Sequence, residues 1–553
     1  MTNPILQREV LGFLRSWWAP AIQLVPAITF SVLVLIRWPT DGQVSVAGTQ
    51  AHQVLELFGY GALALVLLLV PIFPATTLVR ERRQGTLALL LNSPMSGWSI
   101  YAGKLAGNLT CVFLPLIMSL PAAAACYAMT GLGASQHLGR LYLVLFMATI
   151  QYTVLALYVS SFASTTDSAL RTTFGIILLM AVGSLGPYQL LQGQSLGWLG
   201  EIGLWLQSLS PLPAMMEILG HGDVTAQGLV TRSGSPLRFS LLAAVTASFC
   251  AIHTIVRLKP TMLDRPRPQG VITQDRSHPQ QWLRRFVFLV DPHRRSGAIG
   301  NWTNPVLVKE FRSRRFGRSQ WMFRLIALSA LISLLLTYMA TTGTFVWGPE
   351  TIGVIMVVLQ IALVLILTPS LAASLISSER ESGGWTLLMM TPLTGTRIII
   401  GKLLSVAATV AMVLMATLPG YIVMMVIQPV LKQQVLYVLL SLVLTALLAV
   451  TLSAAVSSFF QRTAPATITC YALLALFLIT PMLIWLGRDA PFGKSVVESV
   501  LIASPLAAAL QAMQISGFSH YELLPVNWWI MGGASLLCTG ILGLQTWRIT
   551  RPL

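Results

Sequence analysis

Charge is scarce in this chain: only 10 % of its 553 residues are Asp, Glu, Lys or Arg, and long stretches contain none. A soluble chain of this length carries about a quarter charged residues, so a soluble globular class is excluded. Within the long apolar runs His253 is the only Asp, Glu, Lys, Arg or His. An ion-coupled secondary carrier places ionisable groups where water is excluded, and that absence weighs against it. Paired carboxylates, HExxH and Ser/His arrangements suited to a membrane-embedded hydrolase are also missing, so no catalytic residue and no metal site is expected. The five cysteines (Cys111, Cys126, Cys250, Cys470 and Cys538) all fall in apolar runs without metal or disulfide spacing, and act as small apolar residues. No signal peptide is expected, because Arg8 and Glu9 interrupt the early apolar residues. A phosphate-cradling GxxxxGK(S/T) loop is absent too. The nearest segment, Gly487–Ser495, spaces its glycines one residue too far apart, and the Gly-Lys-Leu sequences at Gly103 and Gly401 lack the upstream glycine and the following Ser or Thr. No ATPase domain is expected in this chain.

What the chain has instead is apolar length. Hydrophobic residues make up 55 % of it, in twelve uncharged runs. Each is roughly 20 residues, enough to cross about 30 Å of hydrocarbon as a helix. Six are expected at Ala21–Ile36, Leu57–Val79, Leu105–Met129, Leu141–Phe162, Thr172–Leu191 and Phe239–Val256. Six more follow at Leu325–Val346, Thr351–Ile376, Leu403–Ile427, Val435–Phe459, Thr463–Leu486 and Val526–Trp547. With the N-terminus inside, 28 of the 35 Lys and Arg fall in loops on that side. The net charge of +17 therefore follows the positive-inside rule and contact with anionic lipid headgroups, not nucleic-acid binding.

The chain also repeats itself. With a fixed offset of 298 residues, Glu81–Leu105 matches Glu379–Leu403 at eleven of 25 positions, among them Glu81, Arg82, Gly85, Pro94, Gly103 and Lys104, which recur as Glu379, Arg380, Gly383, Pro392, Gly401 and Lys402. Each copy is preceded by an Asn-Pro start, Asn3-Pro4 and Asn304-Pro305, where Asn can cap and Pro can begin a short interfacial helix. In the first such helix Leu6, Val10, Phe13, Leu14 and Trp17 form the apolar stripe. In the second, Lys309, Arg312, Arg314, Arg315 and Arg318 make a basic outer face. Val159–Phe162 recurs as Val456–Phe459, and Ser210-Pro211-Leu212 as Ser504-Pro505-Leu506 within apolar outer loops that suit a partly re-entrant helix. Between the copies, Arg257–Thr303 is a Pro- and Arg-rich linker with an interfacial segment at Gln280–Val290. The expected fold class is an all-α polytopic membrane protein with about twelve transmembrane helices in two homologous six-helix halves, residues 1–258 and 304–553, joined by residues 259–303. Both halves begin on the same side, which suggests an approximate twofold axis along the membrane normal.

The charged (R/E)E(R/x)xxG, the short leucine-rich segment, the (S/T)P(L/M)(S/T) and the Gly-Lys-Leu opening a membrane helix together resemble the cytoplasmic loop of type-2 ATP-binding-cassette exporter permeases. The resemblance covers nearly the whole chain and implies two permeases fused head to tail. It further implies that these loops carry coupling helices docking on separate cytoplasmic ATPase subunits, two per chain, where ATP and Mg are bound. The coupling residues would be Arg80, Glu81, Arg82, Gly85, Pro94, Gly103 and Lys104 in the first loop, and Glu379, Arg380, Glu381, Gly383, Pro392, Gly401 and Lys402 in the second. Pro94 and Pro392 are expected to end the short helices, and Lys104 and Lys402 to anchor the next span among headgroups. The implied setting is the inner (plasma) membrane with both termini cytoplasmic. A non-transporting membrane scaffold is the alternative from another class.

Overall fold

A computed structural model describes residues 3–15, 18–36, 49–130, 134–163, 165–184, 197–219, 234–258, 304–312, 327, 330–331, 333, 349–478, 480–486, 494–515 and 517–550. The linker 259–303, the second half's first span and the basic residues Arg314, Arg315 and Arg318 lie almost wholly outside them, as does Trp17. Among the described residues every regular element is a helix. They form two compact units, Met1–Asp264 with Met482–Val497, and Arg265–Pro481 with Glu498–Leu553.

The first unit runs through α1 (Pro4–Leu14), α2 (Trp18–Ile36), α3 (Thr49–Leu69), α4 (Ile72–Gln84), α5 (Thr86–Leu91), α6 (Gly97–Met118), α7 (Leu120–Thr130), α8 (Ala134–Phe162), α9 (Thr166–Leu178), α10 (Gly197–Gln207), α11 (Pro211–Ile218) and α12 (Ser235–Arg257). Its axis is α8, whose Leu141, Val144, Leu145, Ala148, Tyr152 and Val159 are buried against Phe58, Leu63, Met215 and Phe239. Lipid chains are as apolar as leucine, so packing rather than water exclusion holds such helices together. The fully buried Ala148, Ala156, Ser160 and Ser161 keep α8 slim enough for neighbours to approach. By contrast α12 buries only 22 % of its apolar window against 72 % for α8. Its Leu237, Leu241, Val245, Phe249, Ile252 and Val256 form an exposed stripe at helical spacing, the expected lipid-facing side.

In the second unit α13 (Pro305–Arg312), α14 (Pro349–Ala372), α15 (Ser374–Glu381), α16 (Gly384–Met389), α17 (Gly395–Ile427), α18 (Lys432–Phe459) and α19 (Thr463–Leu478) repeat the order seen for α1, α3 to α6, α8 and α9. Along the chain α20 (Thr480–Leu486), most of which belongs to the first unit, and α21 (Lys494–Leu501), divided between the two, precede α22 (Pro505–Ala512), reached through a 105° bend, and α23 (Val526–Thr550). Nine helices among the described residues are long and apolar enough to cross a bilayer. The chain is an all-α polytopic membrane protein. The fifth run of the first half, expected over Thr172–Leu191, differs: α9 is short and passes into a π-helical turn at Leu179–Gly183.

The second span of each copy is broken before its polar end, after Leu69 and again at Ala373. Just past the second break the N–H groups of Ile376 and Ser377 need a partner, since lipid offers none, while their counterparts Leu78 and Val79 lie inside α4 and make the same contact. Ser160 Oγ accepts from the N–H groups of Leu78 (3.1 Å) and Val79 (3.2 Å), and Ser457 Oγ accepts from those of Ile376 and Ser377, both at 3.1 Å. The repeated Val-Ser-Ser-Phe segment thus pins α4 to α8 and α15 to α18.

Candidate coupling site

The two duplicated loops share one backbone path. Gly85, at φ +75°, ends α4 and admits α5; Gly383, at φ +73°, does the same between α15 and α16. A side chain at either position would meet the left-handed penalty, which explains why both copies have glycine there. The short helices stop at Leu91 and Met389, three residues ahead of Pro94 and Pro392, so the prolines shape the following turns rather than ending the helices as expected. Ser96 then caps α6, its Oγ accepting the Ser99 N–H at 3.2 Å.

Each short helix has a buried and an exposed side. Leu87 and Leu91 join a core of Ile5, Leu78, Ile100, Tyr101, Leu157 and Leu258, while Leu89 is 74 % exposed. In the second unit Trp385 is buried with Val306, Ile376 and Ile398, and Leu387 is 68 % exposed. The interfacial helix α1 is part of this core through Ile5, and its Phe13 packs edge-on against Phe73 of α4 at 5.8 Å.

Glu81 and Lys104 of the first loop and Lys402 of the second turn inward, while Arg80 and Glu381 stay exposed. Lys104 is buried, its Nζ lying 2.5 Å from both Glu9 Oε1 and Glu81 Oε1. Arg8, half exposed, bonds the same Glu9 oxygen at 3.0 Å and also reaches Glu81. Burial pushes the Glu9 carboxyl up, but the charge and hydrogen bond of Lys104, with Arg8 behind them, hold it below the usual carboxylate range. The second unit repeats the cluster: Lys402 Nζ is 2.7 Å from Glu310 Oε1 and 3.0 Å from Glu379 Oε1, with the half-exposed Lys309 at 3.3 Å from Glu379. Each cluster balances two cations against two carboxylates. Lys104 and Lys402 are therefore not headgroup anchors; the carboxylates on α1 and α13 draw them inside.

The Asn-Pro starts belong to the same assembly. Asn3 Oδ1 accepts the Ile5 N–H at 3.0 Å as a helix cap, and its Nδ2 donates to the Ser99 carbonyl on α6 at 2.7 Å. Asn304 does likewise to the Val306 N–H (3.0 Å) and the Arg397 carbonyl (2.8 Å). Gly103 and Gly401 make this possible: a Cβ on either would lie 2.8 Å from the asparagine Nδ2.

A family model described as ABC-2 family transporter protein matches residues 4–256 and again residues 305–516. The chain belongs to the ABC-2 transporter family. The two matches fall on the two copies, so this is a permease of two fused halves, the transmembrane component of an ABC transporter and a multi-pass membrane protein. Nothing among curated proteins matches it.

Further charged residues of the permease motif are used inside each half. Arg82 Nη1 donates to the Ala163 carbonyl at 3.1 Å and its Nη2 to that of Ser161; Arg380 Nη1 donates to the Ser458 carbonyl at 3.1 Å. Both cover orphan carbonyls at the end of a buried helix, where a cation also suits the helix dipole. Glu381 Oε2 caps the start of α19 through the Thr463 N–H (2.8 Å) and hydroxyl (2.7 Å). In the first half α9 caps itself with a Thr165–Ser168 box. Sequence reasoning missed Glu9 and Glu310 as partners of the two lysines. Their signal was present: two acids and one lysine recur together in both halves of a chain poor in charge.

Proposed function

We propose that this permease moves its substrate outward across the inner (plasma) membrane, driven by ATP hydrolysis on separate cytoplasmic ATPase subunits that bind ATP and Mg. Residues 1–258 and 304–553 act as the two halves, tied by the linker 259–303, with both termini cytoplasmic and one ATPase engaged by each loop. Leu89 and Leu387, with Pro94 and Pro392 in the adjoining turns, form the docking knobs. Arg82, Lys104, Arg380 and Lys402 act as positioning residues beneath them. The observation that supports this best is the lock among three elements. The interfacial helix, the end of α4 and the start of the third span are joined by a buried ion cluster and an Asn–Gly contact, and the short helix packs on them through Leu87 and Leu91, so a push on the knob moves them together. The uncharged spans suit an apolar or weakly polar substrate. The test is hydrolysis by the full chain reconstituted with its ATPases in lipid nanodiscs. The chain alone should show none, and Leu89→Asp with Leu387→Asp should abolish permease-stimulated hydrolysis while leaving the yield of folded chain unchanged, since both side chains are exposed. Unchanged stimulation in that double variant would overturn the docking assignment.

A further inference from the structure

The two docking faces carry their charge on opposite sides of the short helix. In the first loop Glu81 and Arg82 turn inward, which leaves Arg80 and Arg83 exposed just before α5, and the neutral Trp98 exposed after it. In the second loop the positions of Arg80 and Arg83 are Ser378 and Glu381, the latter engaged in capping α19. Its exposed cation, Arg397, comes after α16, at the position of Ser99. The tips differ as well: Met390, 81 % exposed, stands where the first loop has Asn92.

We infer that the two loops recognise non-equivalent ATPase grooves. The groove seating the first loop presents carboxylates to the end of α4. The groove seating the second is apolar around Met390 and presents its acidic group to the start of α17. Like charges opposed across an interface penalise the wrong pairing as strongly as complementary ones favour the right one. A heterodimeric ATPase supplies two such grooves. The inference rests on the docking role proposed above and adds the chemistry of the partner to it.

The experiment uses the full chain with a photo-crosslinking amino acid at Leu89 or Leu387, activated in native membranes, and mass spectrometry to identify the crosslinked peptides. The expected result is two different ATPase sequences, the Leu89 adduct lying beside Asp or Glu. Arg80→Ser with Arg83→Ser should weaken the Leu89 adduct about two- to thirtyfold and leave the Leu387 adduct unchanged. Arg397→Glu should do the reverse. Raising ionic strength from about 0.1 to about 1 M shortens the screening length from ~10 to ~3 Å and should weaken both adducts, since each groove meets an exposed cation. If both positions crosslink to the same ATPase peptide, or if the charge variants affect both adducts alike, the inference fails and the docking role stands. If neither position reaches a nucleotide-binding protein, the docking role itself fails. Because Arg80, Arg83 and Arg397 side chains are all exposed, these variants leave the buried clusters intact.

Discussion

Replacing Lys104 with Met keeps the length of a buried side chain and removes its charge, which leaves Glu9 and Glu81 facing one another with only the half-exposed Arg8 to offset them. Removing one partner from a buried ion pair costs about 3–5 kcal/mol, because the remaining charge stays desolvated. Here that cost falls on the docking of α1, since Glu9 is the member of the cluster that can leave it for water. At about 1.4 kcal/mol per tenfold, the population with α1 lifted away should rise by about a hundred- to several-thousand-fold. Amide hydrogen exchange of the chain in nanodiscs reads this directly: protection of α1 should fall by that factor, while α13, held by the intact Lys402 cluster, should keep its own. Arg8→Ala, which touches a half-exposed partner, should cost no more than about 1 kcal/mol, or roughly fivefold in exchange. If Lys104→Met loosens α1 no more than Arg8→Ala does, or loosens α13 equally, the cluster does not hold the interfacial helix.

Gly103→Ala places a methyl 2.8 Å from Asn3 Nδ2, so it should break the bond to the Ser99 carbonyl and destabilise α1 docking by about 1–3 kcal/mol; Asn3→Ala added to it should cost little more, which hydrogen exchange of the double variant checks. Ser457→Ala leaves the N–H groups of Ile376 and Ser377, in the first turn of α15, without an acceptor, at about 1–3 kcal/mol for each group, and should lower the thermal stability of the detergent-purified chain more than Ser93→Ala, whose half-buried hydroxyl only donates to a nearby carbonyl. Glu9 titrates below its unfolded value, so its contribution is complete above the ordinary carboxylate pKa and is lost as pH falls through the lowered one. Protection of α1 should therefore be flat from neutral pH to about pH 5 and decline below roughly pH 4, with Glu9→Gln showing reduced protection at neutral pH and no such decline.

Most of the architecture could be read from the sequence because apolar length and duplication are written along the chain. The Asn-Pro starts, the short helices Thr86–Leu91 and Gly384–Met389, and the inner-facing Val-Ser-Ser-Phe repeats were all visible as segments. Which way the charges point was not. Arg80, Glu81, Arg82 and Arg83 sit on consecutive helical positions, so together they circle α4, and only the neighbours at Ser161, Ala163 and Lys104 decide that Glu81 and Arg82 face in. Lys104 lies 95 residues from Glu9, and no local pattern relates them. The early stop of α5 at Leu91 was hidden for a different reason: Pro94 is the obvious helix breaker, but the chain already turns at Ser93, whose N–H and hydroxyl both donate to the Leu90 carbonyl.

The lock draws on three separated stretches, Asn3 to Glu9, Glu81, and Ser99 to Lys104, and none is useful without the others. This sets the boundary for building chimeras. A graft of the loop alone into a foreign permease would carry Lys104 and Glu81 without Glu9 and Asn3, and would leave the buried cluster short of the acid that the interfacial helix supplies. The smallest transplantable piece is the whole run from the Asn-Pro start to the beginning of the third span. Between the two halves of this chain the rule relaxes, because each already offers the other the same asparagine, acids, glycine and lysine; their outward residues can then be exchanged as freely as labels on two identical plugs.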